Sequence, residues 1–223
     1  MLRQLWPLIF LFGLFEVFDE TAPKLTLRIE NQNFTSQDYV SSHPIISATI
    51  EDESGIDLKS QPPEISLDDL SVALSDGVLW FSPQSNKMAV LRYSPTLSPG
   101  EHTIKIKAVD LVGNWAEQSL EVTVSDEFAL QTIANHPNPF IDETIIAYTL
   151  TEEAERVSLH IYTVSGRLIR RFEFSNEVGY IEHVWDGCDE IGDEVANGVY
   201  YLKFTAQRGN EKIERIEKLA KLK

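Results

Sequence analysis

Short segments of two-residue alternation, each closed by a turn cluster, constrain this chain more than any other feature of its sequence. Lys24-Leu25-Thr26-Leu27-Arg28-Ile29, Thr103-Ile104-Lys105-Ile106-Lys107-Ala108 and Leu120-Glu121-Val122-Thr123-Val124 alternate apolar with polar residues. A strand turns successive side chains to opposite faces, so this spacing predicts strands with one face in a core and one in water. Asp52-Glu53-Ser54-Gly55, Ser75-Asp76-Gly77, Ser98-Pro99-Gly100 and Asp110-Leu111-Val112-Gly113-Asn114 supply the Gly, Asn and Asp that chain reversal needs. After Ser125-Asp126-Glu127 the same grammar restarts, from Val157 to Tyr162, from Tyr180 to Trp185 and from Val199 to Phe204. Pro137 and Pro139 cannot sit inside a central ladder, which puts the break ahead of them. The expectation is an all-β chain of two tandem β-sandwiches, residues 19–128 and 129–223, behind an apolar segment at 1–18.

The tail reads two ways. Ile213, Ile216, Leu219 and Leu222 recur at helical spacing, with Glu211 to Arg215, Glu214 to Lys218 and Glu217 to Lys221 as favourable pairs four apart. A sandwich instead wants a closing strand there. Tertiary context overrides local propensity in short segments, so a strand is expected, with Ile216, Ala220 and Leu222 contributing apolar surface.

Charge narrows the partners. With 19 basic against 35 acidic residues the net charge is -16, which repels nucleic acid and anionic membrane surfaces. The run from Leu5 to Phe15, behind Arg3, has the length of an export signal's apolar core and is too short for a transmembrane span. Gly13 is followed by Leu14, Phe15, Glu16, Val17 and Phe18 rather than by a small-residue cleavage site, so the run reads equally as a stub of a longer protein.

Candidate chemistry is sparse. Cys188 is the single cysteine, so no intramolecular disulfide is available. His183 stands five residues before it, but in a polar turn that spacing does not make a thiolate dyad. The five histidines show no ligand spacing for zinc. No cofactor and no metal site are expected; Asp52, Asp57 and Asp110, oxygen donors on turns, are the calcium candidates, and turn formation accounts for them equally. A second acidic group is Asp186, Asp189, Glu190 and Asp193. Leu79-Trp80-Phe81 is the one segment that could present aromatics to a glycan, and core packing explains it as well.

Five separated elements carry a family resemblance: Asn135-His136-Pro137-Asn138-Pro139-Phe140, the strand after it, Ile161 to Gly166-Arg167, Val184-Trp185-Asp186-Gly187, and Ala196-Asn197-Gly198-Val199-Tyr200-Tyr201, with a basic end at Lys218, Lys221 and Lys223 also fitting. In this order they resemble the type A C-terminal sorting domain of the type IX secretion system, and the related immunoglobulin-like domain of flagellar hook-capping proteins. The resemblance implies a second immunoglobulin-like sandwich that performs no catalysis. It also implies recognition by outer-membrane secretion machinery and delivery to the cell surface or the medium. Its motif residues are Pro137, Asn138, Pro139, Phe140, Gly166, Trp185, Gly187, Gly198 and Tyr200. Each also has a plain structural role open to it, as turn glycine, core aromatic or rigid strand start.

The first half, through Asp19 to Pro23, His43 to Ile46, Leu97 to Thr103 and Ala108 to Asn114, resembles the immunoglobulin-like domain that follows the peptidase domain of C25 gingipain-type proteases and of the type IX sortase. The resemblance implies the non-catalytic end of such a protein; the first sandwich is expected to be a spacer or interaction module, and a surface protein or a glycan is the partner class considered for it. Two alternatives stand beside this reading: the accessory end of a C25-type peptidase or sortase, and a hook-cap-like scaffold.

Overall fold

The computed structural model describes residues 19–30, 32, 38–73, 79–81 and 86–222, with the backbone alone for 79–81. The apolar segment expected at 1–18 and the side chains of Leu79, Trp80 and Phe81 lie outside the described residues. Among those residues every regular element is a strand. Strands are numbered in chain order. In the first sandwich, β1 (Lys24–Ile29), β3 (Ile46–Glu51), β7 (Met88–Tyr93) and β6 (Leu79–Phe81) form one sheet in that order. The other holds β2 (Asp38–Tyr39), β9 (Trp115–Val124), β8 (Gly100–Val109), β4 (Glu64–Leu67) and β5 (Leu70–Val72). The alternation does what it predicts: Ile46, Ala48 and Ile50 are fully buried while Ser47 and Thr49 between them are half-buried, and Ile104 and Ile106 of β8 face Leu27, Ala48 and Leu91 across the core.

In the second sandwich, β10 (Leu130–His136), β11 (Thr144–Ala154) and β14 (Glu177–Trp185) face β13 (Leu168–Phe174), β12 (Arg156–Thr163), β15 (Gly198–Arg208) and β16 (Glu211–Lys221). Val157, Leu159 and Ile161 of β12 and Leu202, Phe204 and Ala206 of β15 meet Ile146, Tyr148 and Leu150 of β11 in one core. Tyr148 stands edge-on to Phe204, ring centroids 4.9 Å apart.

The tail is a strand, and its inward face is the opposite of the one expected. Gly209 and Asn210 turn β15 into β16 with Arg208 opposite Glu211, a register that places Ile213 beside Ala206 and Leu219 beside Tyr200. Because side chains alternate, odd-numbered residues then point inward: Leu219 and Lys221 are buried, whereas Ile216 and Leu222 are 64% and 63% exposed. The helical spacing loses because the hairpin pairs eleven residues of β16 with β15 in an unbroken ladder and sets Glu214 3.1 Å from Lys203.

Candidate functional site

The motif residues gather at one end of the second sandwich, around the last strand. Asn138 acts as a peptide group in side-chain form: its Nδ2 donates to the Lys218 carbonyl (2.9 Å) and its Oδ1 accepts from the Ala220 amide (3.0 Å). The chain then completes the pairing with its own backbone, Phe140 N donating to Ala220 O and Leu222 N to Phe140 O, both at 2.9 Å. Pro137 and Pro139 flank Asn138, each after a cis peptide bond, and neither has an amide to offer. The Pro137 carbonyl accepts from Thr144 Oγ1 at 2.9 Å. The segment is a clamp on the edge of β16.

The other motif residues support it from behind. Trp185 and Phe140 are buried with ring centroids 5.2 Å apart, Tyr200 meets Trp185 edge-on at 5.8 Å, and the Trp185 indole N–H donates to Cys188 O at 2.9 Å. Lys221 is 2% exposed, yet its ammonium donates to Ile141 O (2.8 Å), pairs with Glu194 (3.2 Å) and lies 5.2 Å from the Phe140 ring centre. These three partners offset part of what burying an ammonium costs. Gly187 makes room for it: a Cβ there would stand 2.6 Å from Lys221 Nζ and 2.9 Å from the Asp142 carbonyl. Gly198 pairs with Lys221 across the ladder, and Gly166 closes the β12–β13 turn with its amide 3.0 Å from Thr163 O, Thr163 being the partner of Tyr200. Asn138→Ala, which removes both clamp bonds, is expected to cost about 1–2 kcal/mol and to speed hydrogen exchange at Ala220 and Leu222. Exchange rates at those two amides, compared with β12 amides as internal reference, check it.

In the first sandwich the acidic turn residues divide. Asp52 and Asp110 converge with Asp19, one carboxylate oxygen from each lying within 4.8 Å of the others. Asp57 is outside that group; its Oδ1 accepts the Lys59 and Ser60 amides at 3.0 and 2.8 Å, and the Ser60 amide chiefly holds its carboxyl below the ordinary range. Asp110 Oδ1 accepts the amides of Val112, Gly113 and Asn114 at 2.9, 2.6 and 2.8 Å, and Oδ2 accepts Asn114 Nδ2 at 2.8 Å. Asp52 Oδ1 accepts the Ser54 amide and hydroxyl at 2.8 and 2.6 Å. Asn114 Nδ2 also donates to the Asp19 carbonyl at 2.9 Å, which joins the first described residue to the β8–β9 turn. These are turn-forming bonds, and the same three carboxylates would be the oxygen ligands of a hard cation. Asp19 belongs to the group through tertiary contact, and it is not among the acidic turn residues expected as cation candidates.

The remaining candidates do not assemble into a reactive centre. His183 Nε2 lies 2.8 Å from Glu177 Oε1 and 3.1 Å from the Tyr148 hydroxyl. Burial, and then the neighbouring Glu177, pushes that hydroxyl's pKa far up. Cys188 instead donates its amide to Asp186 Oδ1 (3.0 Å). Of the second acidic group, Asp189 Oδ1 accepts the Ile191 and Asp193 amides, both at 3.1 Å, and Glu190 accepts the Arg171 amide at 2.8 Å.

His102 was not singled out by spacing, and it titrates with the fold. Its Nδ1 faces Asp68 Oδ2 at 2.7 Å and its Nε2 faces the Ser98 carbonyl at 2.8 Å. Both partners only accept, so the doubly protonated ring is the form that satisfies both. Burial pulls the His102 pKa down, but the Asp68 and Ser98 hydrogen bonds outweigh it and hold the value above the ordinary one. The His102 hydrogen bond, with the Thr103 amide behind it, holds Asp68 low. A raised folded-state pKa contributes stability that is fully present below the unfolded value of about 6.5 and is lost as pH rises through the folded value. His102→Gln is therefore expected to lower Tm more at pH 5.5 than at pH 9, and melting curves at both pH values check it.

The fold and these sites define the class: an all-β chain of immunoglobulin-like sandwiches. Residues 141–210, most of the second sandwich, match the family described as the FlgD Ig-like domain. No curated protein matches the chain. Among solved structures, it is similar to dimeric latent PorU from Porphyromonas gingivalis at 19% identity and a TM-score of 0.44, over 93% of this chain and 21% of that one. It is also similar to the fibronectin(III)-like modules of CbhA from Clostridium thermocellum, at 15% identity and a TM-score of 0.35, over 88% of this chain and 95% of that one. The chain thus spans about a fifth of the PorU chain it matches.

Proposed function

We propose that this chain is a non-catalytic secreted or cell-surface protein whose C-terminal sandwich is a type IX secretion signal and whose first sandwich is a spacer or interaction module. Its partner in that role is the outer-membrane secretion machinery. The observation that carries the reading is the convergence of the separated motif elements on one structure. Asn138 and Phe140 clamp β16, Trp185 and Tyr200 back Phe140, Gly187 admits Lys221, and Gly198 faces it. A signal read in the folded state must be presented in one shape, and the clamp holds the chain's last strand in one place. The match of residues 141–210 to an Ig-like domain family supports the immunoglobulin-like character of this sandwich. Among the described residues no helix is long and apolar enough to cross a membrane.

The test uses a bacterium that has the type IX system and a mutant lacking its outer-membrane translocon. Full-length tagged protein is expected at the surface of the first and absent from the surface of the second. Deletion of residues 131–223 is expected to leave the protein in the periplasm. Surface delivery of the truncated form sinks the proposal.

A further inference from the structure

β14 is an edge strand of its three-stranded sheet, and an open edge presents unpaired amides to any passing strand. Here the first sandwich reaches across and covers part of it. Asp38, at the start of β2 and 7% exposed, accepts the Tyr180 amide on Oδ2 and the Tyr39 amide on Oδ1, each at 2.8 Å. Gln32 Nε2 donates to the Tyr39 carbonyl at 2.6 Å. β2 is itself tied to the first sandwich: it pairs in parallel with β9, and Val40 N donates to Thr123 O at 2.9 Å.

The second sandwich is shaped to receive this contact. The β11–β14 ladder shifts register between Leu150 and Ala154, and Gly179 takes a φ of +73°, open to few residues but glycine. A Cβ at 179 would stand 1.9 Å from Gln32 Nε2 and 2.4 Å from the Tyr39 carbonyl, and although the amide end could swing aside, the backbone oxygen could not. Hydrophilic clefts of about 690 and 510 Å³ flank the contact, the larger between Arg28 and Glu30 on one side and Tyr180 and Glu182 on the other. The junction is therefore a narrow polar latch rather than a broad apolar interface.

Domains in one chain move independently unless something holds them. We infer that the first sandwich is the built-in partner of the β14 edge, and that the Asp38 latch over Gly179 makes the two sandwiches one rigid unit of fixed orientation. This goes beyond the secretion reading and does not depend on it. A rigid unit carries the β16 clamp at a set distance and angle from the Asp110 turn, where a flexible spacer would not.

Backbone ¹⁵N relaxation on the full chain tests it, with one variant from each side of the latch. In the wild type, amides of both sandwiches are expected to report one rotational correlation time. Gly179→Ala and Asp38→Ala are each expected to separate the two, with values falling by up to about twofold as the bodies tumble apart. Amide shifts away from the junction show which variants remain folded, and Asp38→Ala, which changes no residue of the second sandwich, decides if Gly179→Ala does not fold. Two distinct correlation times in the wild type, or a single unchanged time in a folded variant, overturns the inference.

Discussion

Trp185→Ala is expected to destabilise the second sandwich by about 3–5 kcal/mol, the range for removing a large aromatic from a packed core. Trp185 is fully buried, touches the rings of Phe140 and Tyr200, and donates to the Cys188 carbonyl. Alanine leaves a cavity between those rings and strips the carbonyl of its donor. Trp185→Phe separates the two losses: it keeps most of the ring volume and gives up only the hydrogen bond, an expected cost of about 1 kcal/mol. Urea unfolding followed by circular dichroism measures both. An alanine variant within about 1 kcal/mol of wild type would mean that the Phe140–Trp185–Tyr200 stack is not what holds the clamp end together. Because Phe140 carries the backbone bonds to Ala220 and Leu222, exchange at those amides should rise with the loss of the indole.

The second large effect belongs to the first sandwich. Asp110 is 1% exposed and its carboxylate accepts four hydrogen bonds from residues 112–114. Asp110→Ala leaves three backbone amides of one turn without their acceptor, an expected cost of about 2–4 kcal/mol. Asp110→Asn retains an acceptor for the amides but turns its Nδ2 toward the Asn114 amide group, donor against donor, so an intermediate loss is expected. Thermal melting of the three proteins gives the order wild type, Asn, Ala. The same melts in calcium and in EDTA read the carboxylate group itself. A cation shared by Asp19, Asp52 and Asp110 raises the wild-type Tm and leaves the alanine variant unmoved; equal melts in both buffers assign the three carboxylates to turn formation alone.

Some of this was legible before the structure, and the difference lies in the range of the interactions. Alternation is a local property, because a strand's side chains point where the pleat sends them; Lys24 to Ile29 and Thr103 to Ala108 are strands as their spacing predicts. Turn glycines are local too: Gly55, Gly113 and Gly166 all have positive φ at reversals marked by composition. The tail shows the limit. Its strand character followed from the sandwich around it, but the choice of face depended on a hairpin register set by Gly209 and Asn210, and shifting that register by one residue exchanges Ile216 for Leu219 in the core. His102 also escaped notice, because its two acceptors come from Asp68 and from the Ser98 carbonyl, neither of which forms a spacing motif with it.

What the sequence determined by itself is the all-β class, with its alternating strands and turn glycines, since each rests on neighbours within a few residues. What only the tertiary structure decided is which of those elements meet. It brought Asn138 to the backbone of Lys218 and Ala220, buried Lys221 under Phe140, replaced Asp57 by Asp19 beside Asp52 and Asp110, and set Asp38 against Gly179. The physical reason is that a side chain's hydrogen-bonding capacity is a local property, whereas its partner is set by which strands lie side by side, and strand order is fixed by burying both cores at once.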